Sequence, residues 1–167
     1  MRIIELLNEK GIDLVGKPAS KEVIIEQLVT LMAESGKITD QEVFKKTVMA
    51  REEEGTTGVG EGVAIPHGKS PVVKDAGLAA MVVREGTDFE ALDGKPAYLF
   101  FLIAAPEAAN NLHLEVLSRL STILMDEAFR ARLIAAPDTQ TFLKLVDEKE
   151  QEKFGGVKAV ETPDTVR

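Results

Sequence analysis

His67 has the most distinctive setting of any residue in the chain. It directly follows Pro66 and lies in a glycine-rich stretch, with glycine at positions 55, 58, 60, 62 and 68. Proline fixes its own φ and biases the preceding residue toward extended geometry, so residues 63–67 are predicted to form a short strand that holds His67 on a rigid stem. Because a free imidazole is largely neutral at pH 7, His67 is a candidate covalent nucleophile.

The glycine-rich stretch comes close to two nucleotide-binding patterns and matches neither. The dinucleotide pattern G-x-G-x-x-G would start at Gly58, but it requires glycine at position 63, where the chain has valine. The phosphate-binding P-loop has four residues between its first glycine and Gly-Lys-Ser, whereas five residues separate Gly62 from Gly68. We therefore expect no nucleotide cofactor. Instead, we expect glycine backbone N–H groups to approach an anion closely beside His67.

Arg51 and His113 are the other candidates for a site at His67. Arg51 lies in the last turns of a predicted helix just before the glycine-rich stretch, and its permanently charged guanidinium suits phosphoryl oxygens. His113 lies near the start of a predicted long helix, on its apolar side, where it can hydrogen-bond a phosphoryl group or orient His67. Taken one at a time, the three residues fit plainer roles better: a surface loop histidine, a solvated arginine beside three glutamates, and a core histidine.

Two helices are predicted before the glycine-rich stretch. Ser20 is the predicted N-cap of the first, which ends at Ser35 before Gly36. Thr39 and Glu42 have the spacing of a capping box, which predicts a second helix that ends near position 55. The residues of this second helix predicted to face inward are Val43, Phe44, Val48 and Met49.

Two strands and then three helices are predicted after the stretch. The apolar segments 78–83 and 98–103 are predicted buried strands, with a turn at Asp93-Gly94 before the second. Asn110 is predicted to open a long helix whose apolar stripe contains Leu117, Leu120 and Leu124. Two further helices are predicted over about 127–135 and 139–148. Taken along the whole chain, the succession of helices, strands and helices favours an α/β (α+β) fold with helices on both faces of a sheet.

The composition excludes several classes of protein. The 167 residues carry 28 Asp and Glu against 20 Lys and Arg, a formal charge of −8, so nucleic-acid binding is disfavoured. The absence of cysteine excludes disulfides, thiolate nucleophiles and cysteine-ligated metal clusters. No apolar run approaches 18 residues, and Glu5 interrupts the N-terminal segment, so we expect neither a transmembrane helix nor a signal peptide. We therefore expect the protein to be cytoplasmic.

Two segments of the chain resemble one family of phosphocarrier domains. Residues 51–68, REEEGTTGVGEGVAIPHG, closely resemble the phosphohistidine signature of the enzyme IIA domain of the sugar phosphotransferase system, mannitol/fructose type. Residues 93–107 and the following Asn-Leu-His-Leu at 111–114 resemble the second block of that family, most closely in its fructose-specific branch. The resemblance covers about residues 1–148, and residues 149–167 are predicted to be a polar tail or a linker stub.

The resemblance implies partners, a mechanism and a fold. His67 would accept a phosphoryl group from the histidine-containing phosphocarrier protein and pass it to a IIB domain, which phosphorylates sugar entering through the membrane IIC domain. The chain would thus be a phosphotransferase that meets the membrane only indirectly. Arg51 would stabilise the phosphoryl charge, and His113 would hold the phosphoryl group or the His67 ring, with no metal or other cofactor. The implied fold is a three-layer α-β-α sandwich with a mixed central sheet.

Two other functions remain open on the sequence alone. A nitrogen-type IIA paralogue would use the same His67 but would signal by binding partners instead of feeding sugar transport. The fructose-like second block, and a tail suited to linking a IIB domain, favour transport. A metal- or anion-binding protein would use His67 and His113 as ligands, and Asp or Glu would have to complete the site, because the chain has no third histidine and no cysteine.

Overall fold

Two long apolar strands form the centre of the sheet in the computed structural model, which describes residues 2–155. Strand β5, Gly77–Thr87, runs antiparallel to strand β6, Ala97–Pro106. Helices on both faces bury nearly all of their residues, which explains why both segments are apolar without alternation. The two predicted strands are confirmed. Each is longer than predicted, because pairing continues past the apolar segments, for example between Thr87 and Ala97.

Short strands complete the sheet on both sides of this pair. Strand β1, Ile12–Asp13, lies parallel to β5. On the other side, β3, Val63–Ala64, and β4, His67–Ser70, lie parallel to β6, and β2, Gly58–Gly60, is antiparallel to β3. Within residues 2–155 the strand order is β1-β5-β6-β3-β2, with β4 also pairing with β6. The sheet is mixed, as predicted.

Helices cover both faces of the sheet. Within the described residues, none of them is long and apolar enough to cross a membrane. A short helical turn, Glu9–Gly11, precedes β1, and another, Gln151–Gly155, follows the last helix. The six α-helices of the described region are α1 Ile3–Leu6, α2 Lys21–Glu34, α3 Gln41–Glu54, α4 Leu112–Ile123, α5 Glu127–Ala135 and α6 Thr139–Glu150.

Two apolar cores hold the three layers together. Successive strand residues point to opposite faces of the sheet. Leu78 and Phe101 therefore lie in the core shared with α1, α4, α5 and α6, whereas Ala79 and Phe100 lie in the core shared with α2 and α3. The predicted three-layer α-β-α architecture is confirmed.

The starts of α3 and α4 differ from the sequence prediction. The N-cap of α3 is Asp40, whose side chain accepts a hydrogen bond from the Val43 backbone N–H at 3.1 Å. Thr39 does not cap the helix, because its hydroxyl donates to the Val72 carbonyl oxygen. Val43, which was predicted to face inward, is 41% exposed. Helix α4 begins at Leu112, since Asn110 has a positive φ of 52° and cannot be its first turn.

The last helix ends in a buried ionic network. Lys149 is only 5% exposed and donates to the Asp126 carboxylate at 2.6 Å. The buried Glu150 accepts a hydrogen bond from Arg119 at 2.8 Å. These contacts tie the end of α6 to α4 and to the N-cap of α5. Helical structure thus continues past residue 148, where the sequence places the end of the domain. That domain boundary stays a prediction. Residues 156–167 of the predicted tail lie outside the described residues.

The Lys149–Asp126 pair makes the stability of the fold sensitive to acid. The hydrogen bond from Lys149, and then that from the Phe129 backbone N–H, lower the pKa of Asp126 from 3.8 to about 2. Because the pKa is lower in the folded chain, the carboxylate stabilises the fold above about pH 4, and this contribution is lost as the pH falls from about 4 to about 2. Asparagine caps a helix as well as aspartate, so Asp126→Asn removes mainly the charge.

Urea denaturation of wild type and Asp126→Asn across this pH range tests whether the Lys149–Asp126 pair causes the acid sensitivity. We expect the variant to have a lower free energy of unfolding at neutral pH, and the difference to shrink between about pH 4 and about pH 2. A difference in the free energy of unfolding between the two proteins that is independent of pH over this range would contradict this role of the pair.

Candidate functional site

His67 lies where pairing along β6 resumes after a break. Strands β3 and β4 pair with β6 in turn, and Ile65 and Pro66 separate them. Proline has no N–H to donate to a strand ladder, which accounts for the break. The predicted strand 63–67 is therefore two strands, and His67 is the first residue of β4 instead of the last residue of a single strand.

A hydrogen bond fixes which nitrogen of His67 carries the proton. Nδ1 lies 3.1 Å from the carbonyl oxygen of Ile65. A carbonyl oxygen only accepts, so Nδ1 is the donor and is protonated in the neutral ring. The lone pair is then on Nε2. Since the side chain is only half-buried, the ring has the tautomer and the access that a nucleophile needs.

Gly68 lets helix α3 pack closely behind this histidine. A Cβ at position 68 would lie 3.0 Å from Cε1 of Phe44 and 3.1 Å from Cγ2 of Val48, closer than ordinary van der Waals contact. Any larger residue would push α3 away from β4. Arg51 follows Val48 by about one helical turn, so this packing also sets the position of Arg51 relative to His67.

Arg51 lies in the last turn of α3, at the entrance to the glycine-rich loop. Its Nη1 donates to the Gly55 carbonyl oxygen at 2.9 Å, and the side chain is half-buried. In the part of the chain that the structure describes, no hydrogen bond joins Arg51 to His67 or His113. The guanidinium is thus held at the start of the loop, and its contact with a phosphoryl group stays a prediction.

His113 lies in the first turn of α4 and packs beside His67. The two ring centroids are 6.0 Å apart and the ring planes are tilted by 30°. Burial, and then the like charges of His67 and Lys69, lower the pKa of His113 below its usual 6.5, so the ring is neutral at pH 7. Its Nδ1 is buried and has no hydrogen-bond partner among residues 2–155. With no acceptor at Nδ1, the neutral ring favours its proton on Nε2.

A buried carboxylate that the sequence prediction missed anchors the glycine-rich loop. Glu52 accepts hydrogen bonds from the backbone N–H of Thr57 at 2.7 Å and from its hydroxyl at 2.6 Å. Lys21, from α2, pairs with the same carboxylate at 2.8 Å. A signal was present in the sequence, because Glu52 falls four residues after Val48 and eight after Phe44, on the buried side of α3.

The backbone of the loop is held by further internal acceptors. The N–H of Gly58 donates to the Thr56 hydroxyl at 3.0 Å, and the N–H of Glu61 donates to the Asp93 carboxylate at 3.1 Å. These two amides already have acceptors within the loop, and the approach of other glycine N–H groups to an anion stays a prediction. Residues 60, 61 and 62 have φ values of 101°, 59° and 79°, so the two flanking glycines serve a tight left-handed turn.

The metal-binding alternative finds little support at this site. In residues 2–155, no group of three or more His, Asp or Glu side chains is placed to hold a metal ion. A site on His67 and His113 would need further protein ligands for a closed coordination shell.

Sequence comparison relates the chain to phosphotransferase proteins. The family described as phosphoenolpyruvate-dependent sugar phosphotransferase system, EIIA 2, matches residues 5–149. The fructose-specific EIIABC component of Bacillus subtilis (strain 168) is 41% identical over 151 residues, which are 90% of this chain but 24% of that protein. The fructose-specific EIIA component of Haloferax volcanii is 41% identical over 137 residues, which are 82% of this chain and 89% of that one. The chain thus spans about a quarter of the first relative and most of the second.

Solved structures share the fold. The nitrogen regulatory protein IIA-Ntr of Neisseria meningitidis is 35% identical, with a TM-score of 0.80 over 86% of this chain and 98% of that one. The mannitol enzyme IIA of Escherichia coli, solved in complex with phosphorylated enzyme IIB, is 26% identical, with a TM-score of 0.73 over 84% of this chain and 98% of that one. A IIA domain of this fold therefore partners with a IIB domain. With its sequence match over residues 5–149 and its three-layer fold, the chain belongs to the EIIA 2 family of phosphoryl carriers of the phosphoenolpyruvate-dependent sugar phosphotransferase system.

Proposed function

We propose that the chain carries a phosphoryl group on Nε2 of His67 in the cytoplasm. It accepts the group from the histidine-containing phosphocarrier protein and passes it to a IIB domain for the uptake of a sugar, fructose. The observation that carries the proposal is the hydrogen bond between Nδ1 of His67 and the Ile65 carbonyl oxygen, which leaves the lone pair on Nε2 of a ring whose centroid lies 6.0 Å from that of a second imidazole. The fructose-specific relatives at 41% identity support the choice of sugar.

The proposed step is a displacement at phosphorus. The Nε2 lone pair of His67 forms a new N–P bond while the N–P bond of the donor phosphohistidine breaks and returns its electron pair to the donor imidazole. No proton has to move, since Nδ1 keeps its proton and the Ile65 carbonyl dipole stabilises the positive charge of the phosphorylated ring. The transition state of phosphoryl transfer is loose, so positioning and electrostatics supply most of the catalysis.

Arg51 and His113 supply those electrostatics in the proposed mechanism. Arg51 offers a permanent positive charge to the phosphoryl oxygens from the end of α3. His113 stays neutral because its pKa is lowered, so it donates from Nε2 to a phosphoryl oxygen without adding a second positive charge beside His67. These three residues provide a nucleophile, a cation and a donor, so the proposed transfer requires no metal or other cofactor.

A two-stage transfer assay tests the proposal. The chain is incubated with phosphoenolpyruvate, enzyme I and the phosphocarrier protein, and its intact mass is expected to rise by one acid-labile phosphoryl group. A fructose IIB domain is then added, and the group is expected to leave the chain and appear on IIB.

Two results would contradict the proposed transport function. Phosphorylation without transfer to IIB would favour the regulatory, nitrogen-type function, to which the 35% identity with a nitrogen regulatory protein also points. No phosphorylation at all, with the phosphocarrier protein fully phosphorylated, would refute the carrier function.

A further inference from the structure

Lys69 connects the strand that carries His67 to the helix that carries His113. Its Nζ donates to the carbonyl oxygen of Asn110 at 2.8 Å. Gly68 and Ser70 are the buried residues of β4, so His67 and Lys69 share the other face of the strand. The lysine therefore lies on the same side of β4 as the nucleophilic imidazole.

The register of β4 against β6 brings the loop before α4 to this lysine. Ser70 pairs with Pro106, the last residue of β6, so the chain leaves the sheet next to the end of β4. It then returns through Asn110, whose positive φ turns the backbone just before the N-cap at Asn111. His113 lies three residues beyond Asn110, in the first turn of the helix.

Few other hydrogen bonds fix the start of α4 to β4, where Leu112 also packs against the apolar core. Within the described residues, the backbone hydrogen bonds of the loop stay local, joining Ala109 to Pro106 and Leu112 to Ala109. The Lys69–Asn110 hydrogen bond joins the loop to a residue 41 positions away in the sequence. It is therefore the bond best placed to set the first turn of α4 relative to the sheet.

We propose that Lys69 is a positioning residue whose hydrogen bond to Asn110 holds His113 opposite His67. The proposal rests on the phosphoryl-carrier function proposed above, because the geometry of the two imidazoles matters for transfer to His67. The charge of Lys69 also contributes, after burial and His67, to the lowered pKa of His113. Lys69 thus acts on the reaction through His113 and not by touching the phosphoryl group.

A double-mutant cycle separates action through His113 from direct action. Lys69→Met removes the donor and the charge, and is expected to lower the rate of phosphoryl transfer from the phosphocarrier protein about tenfold. In the His113→Ala background, the same change is expected to alter the rate less than about twofold, because the residue to be positioned is already gone. Lys69→Arg, which keeps a cationic donor, is expected to restore most of the rate. Lys144→Met, on the exposed side of α6, is the matched control.

The unphosphorylated protein gives an independent readout. In NMR spectra, Lys69→Met is expected to shift the backbone amides of residues 109–114 and to raise the pKa of His113 toward its usual value, whereas Lys144→Met changes neither. A Lys69→Met variant that transfers at the wild-type rate would overturn the proposal, and so would an equal tenfold loss in both backgrounds. Failure of the wild type to accept a phosphoryl group would instead refute the carrier function itself, so the two failures are distinguishable.

Discussion

Replacing His67 with glutamine or alanine is expected to abolish phosphoryl incorporation completely. His67→Gln keeps a side-chain donor near the Ile65 carbonyl oxygen but has no ring nitrogen to form an N–P bond. The other imidazole cannot take over readily, since His113 favours its proton on Nε2 and its Nδ1 is buried. Acid-labile phosphate, measured by intact mass after incubation with the donor system, is therefore expected to be absent from both variants.

His113→Ala is the informative control for this result. It keeps the nucleophile and removes one neutral donor, so it is expected to accept the phosphoryl group about 100-fold more slowly than wild type, but to the same final level. Acid-labile phosphate that persists on His67→Gln would place the phosphoryl group elsewhere and contradict the assignment of the nucleophile.

Replacing Glu52 with alanine is expected to cause the largest loss of stability near the site. The carboxylate is buried and accepts from both Thr57 donors and from Lys21. Its removal leaves the Thr57 N–H and hydroxyl without this acceptor in a buried position, and leaves Lys21 with the longer contacts to Glu90 at 3.6 Å and to the Thr56 hydroxyl at 3.4 Å. Together these losses cost about 3 kcal/mol in the free energy of unfolding. Urea denaturation measures this loss directly.

The neighbouring Glu53 provides the matched control for Glu52. It lies on the same helix but is exposed, so Glu53→Ala is expected to change the free energy of unfolding by less than about 0.5 kcal/mol. Equal effects of the two substitutions would show that Glu52 does not anchor the loop. Glu52→Ala is also expected to slow phosphoryl transfer, since Thr57 leads into the strands that precede His67.

The main features of the fold were predictable because they depend on local sequence patterns. The continuous apolar segments around Leu78 and Phe101 indicated strands covered on both faces, and the helical periodicities supplied the covering layers. The cap of α3 was predicted one residue too early. The hydroxyl of Thr39 bonds to Val72, 33 positions away, and a pattern of spacing within the helix does not reveal such a contact.

The candidate site was predictable in its residue types but not in its supporting contacts. Pro66 and the glycines pointed to His67, and the helix pattern placed His113 on an apolar face. The link from Lys69 to Asn110 depends on the pairing of Ser70 with Pro106, which only the assembled sheet establishes. Non-local register of this kind is set by packing and turn geometry together, so it does not appear in any short window of sequence.

The measurement that tests the central claim most directly is an NMR spectrum of the phosphorylated protein with nitrogen-labelled histidine. Coupling between phosphorus and ring nitrogen identifies the residue and the atom that carry the group. The proposed mechanism predicts one phosphohistidine, His67, with phosphorus on Nε2 and a proton retained on Nδ1. Phosphorus on Nδ1 of His67, or on either nitrogen of His113, would contradict it.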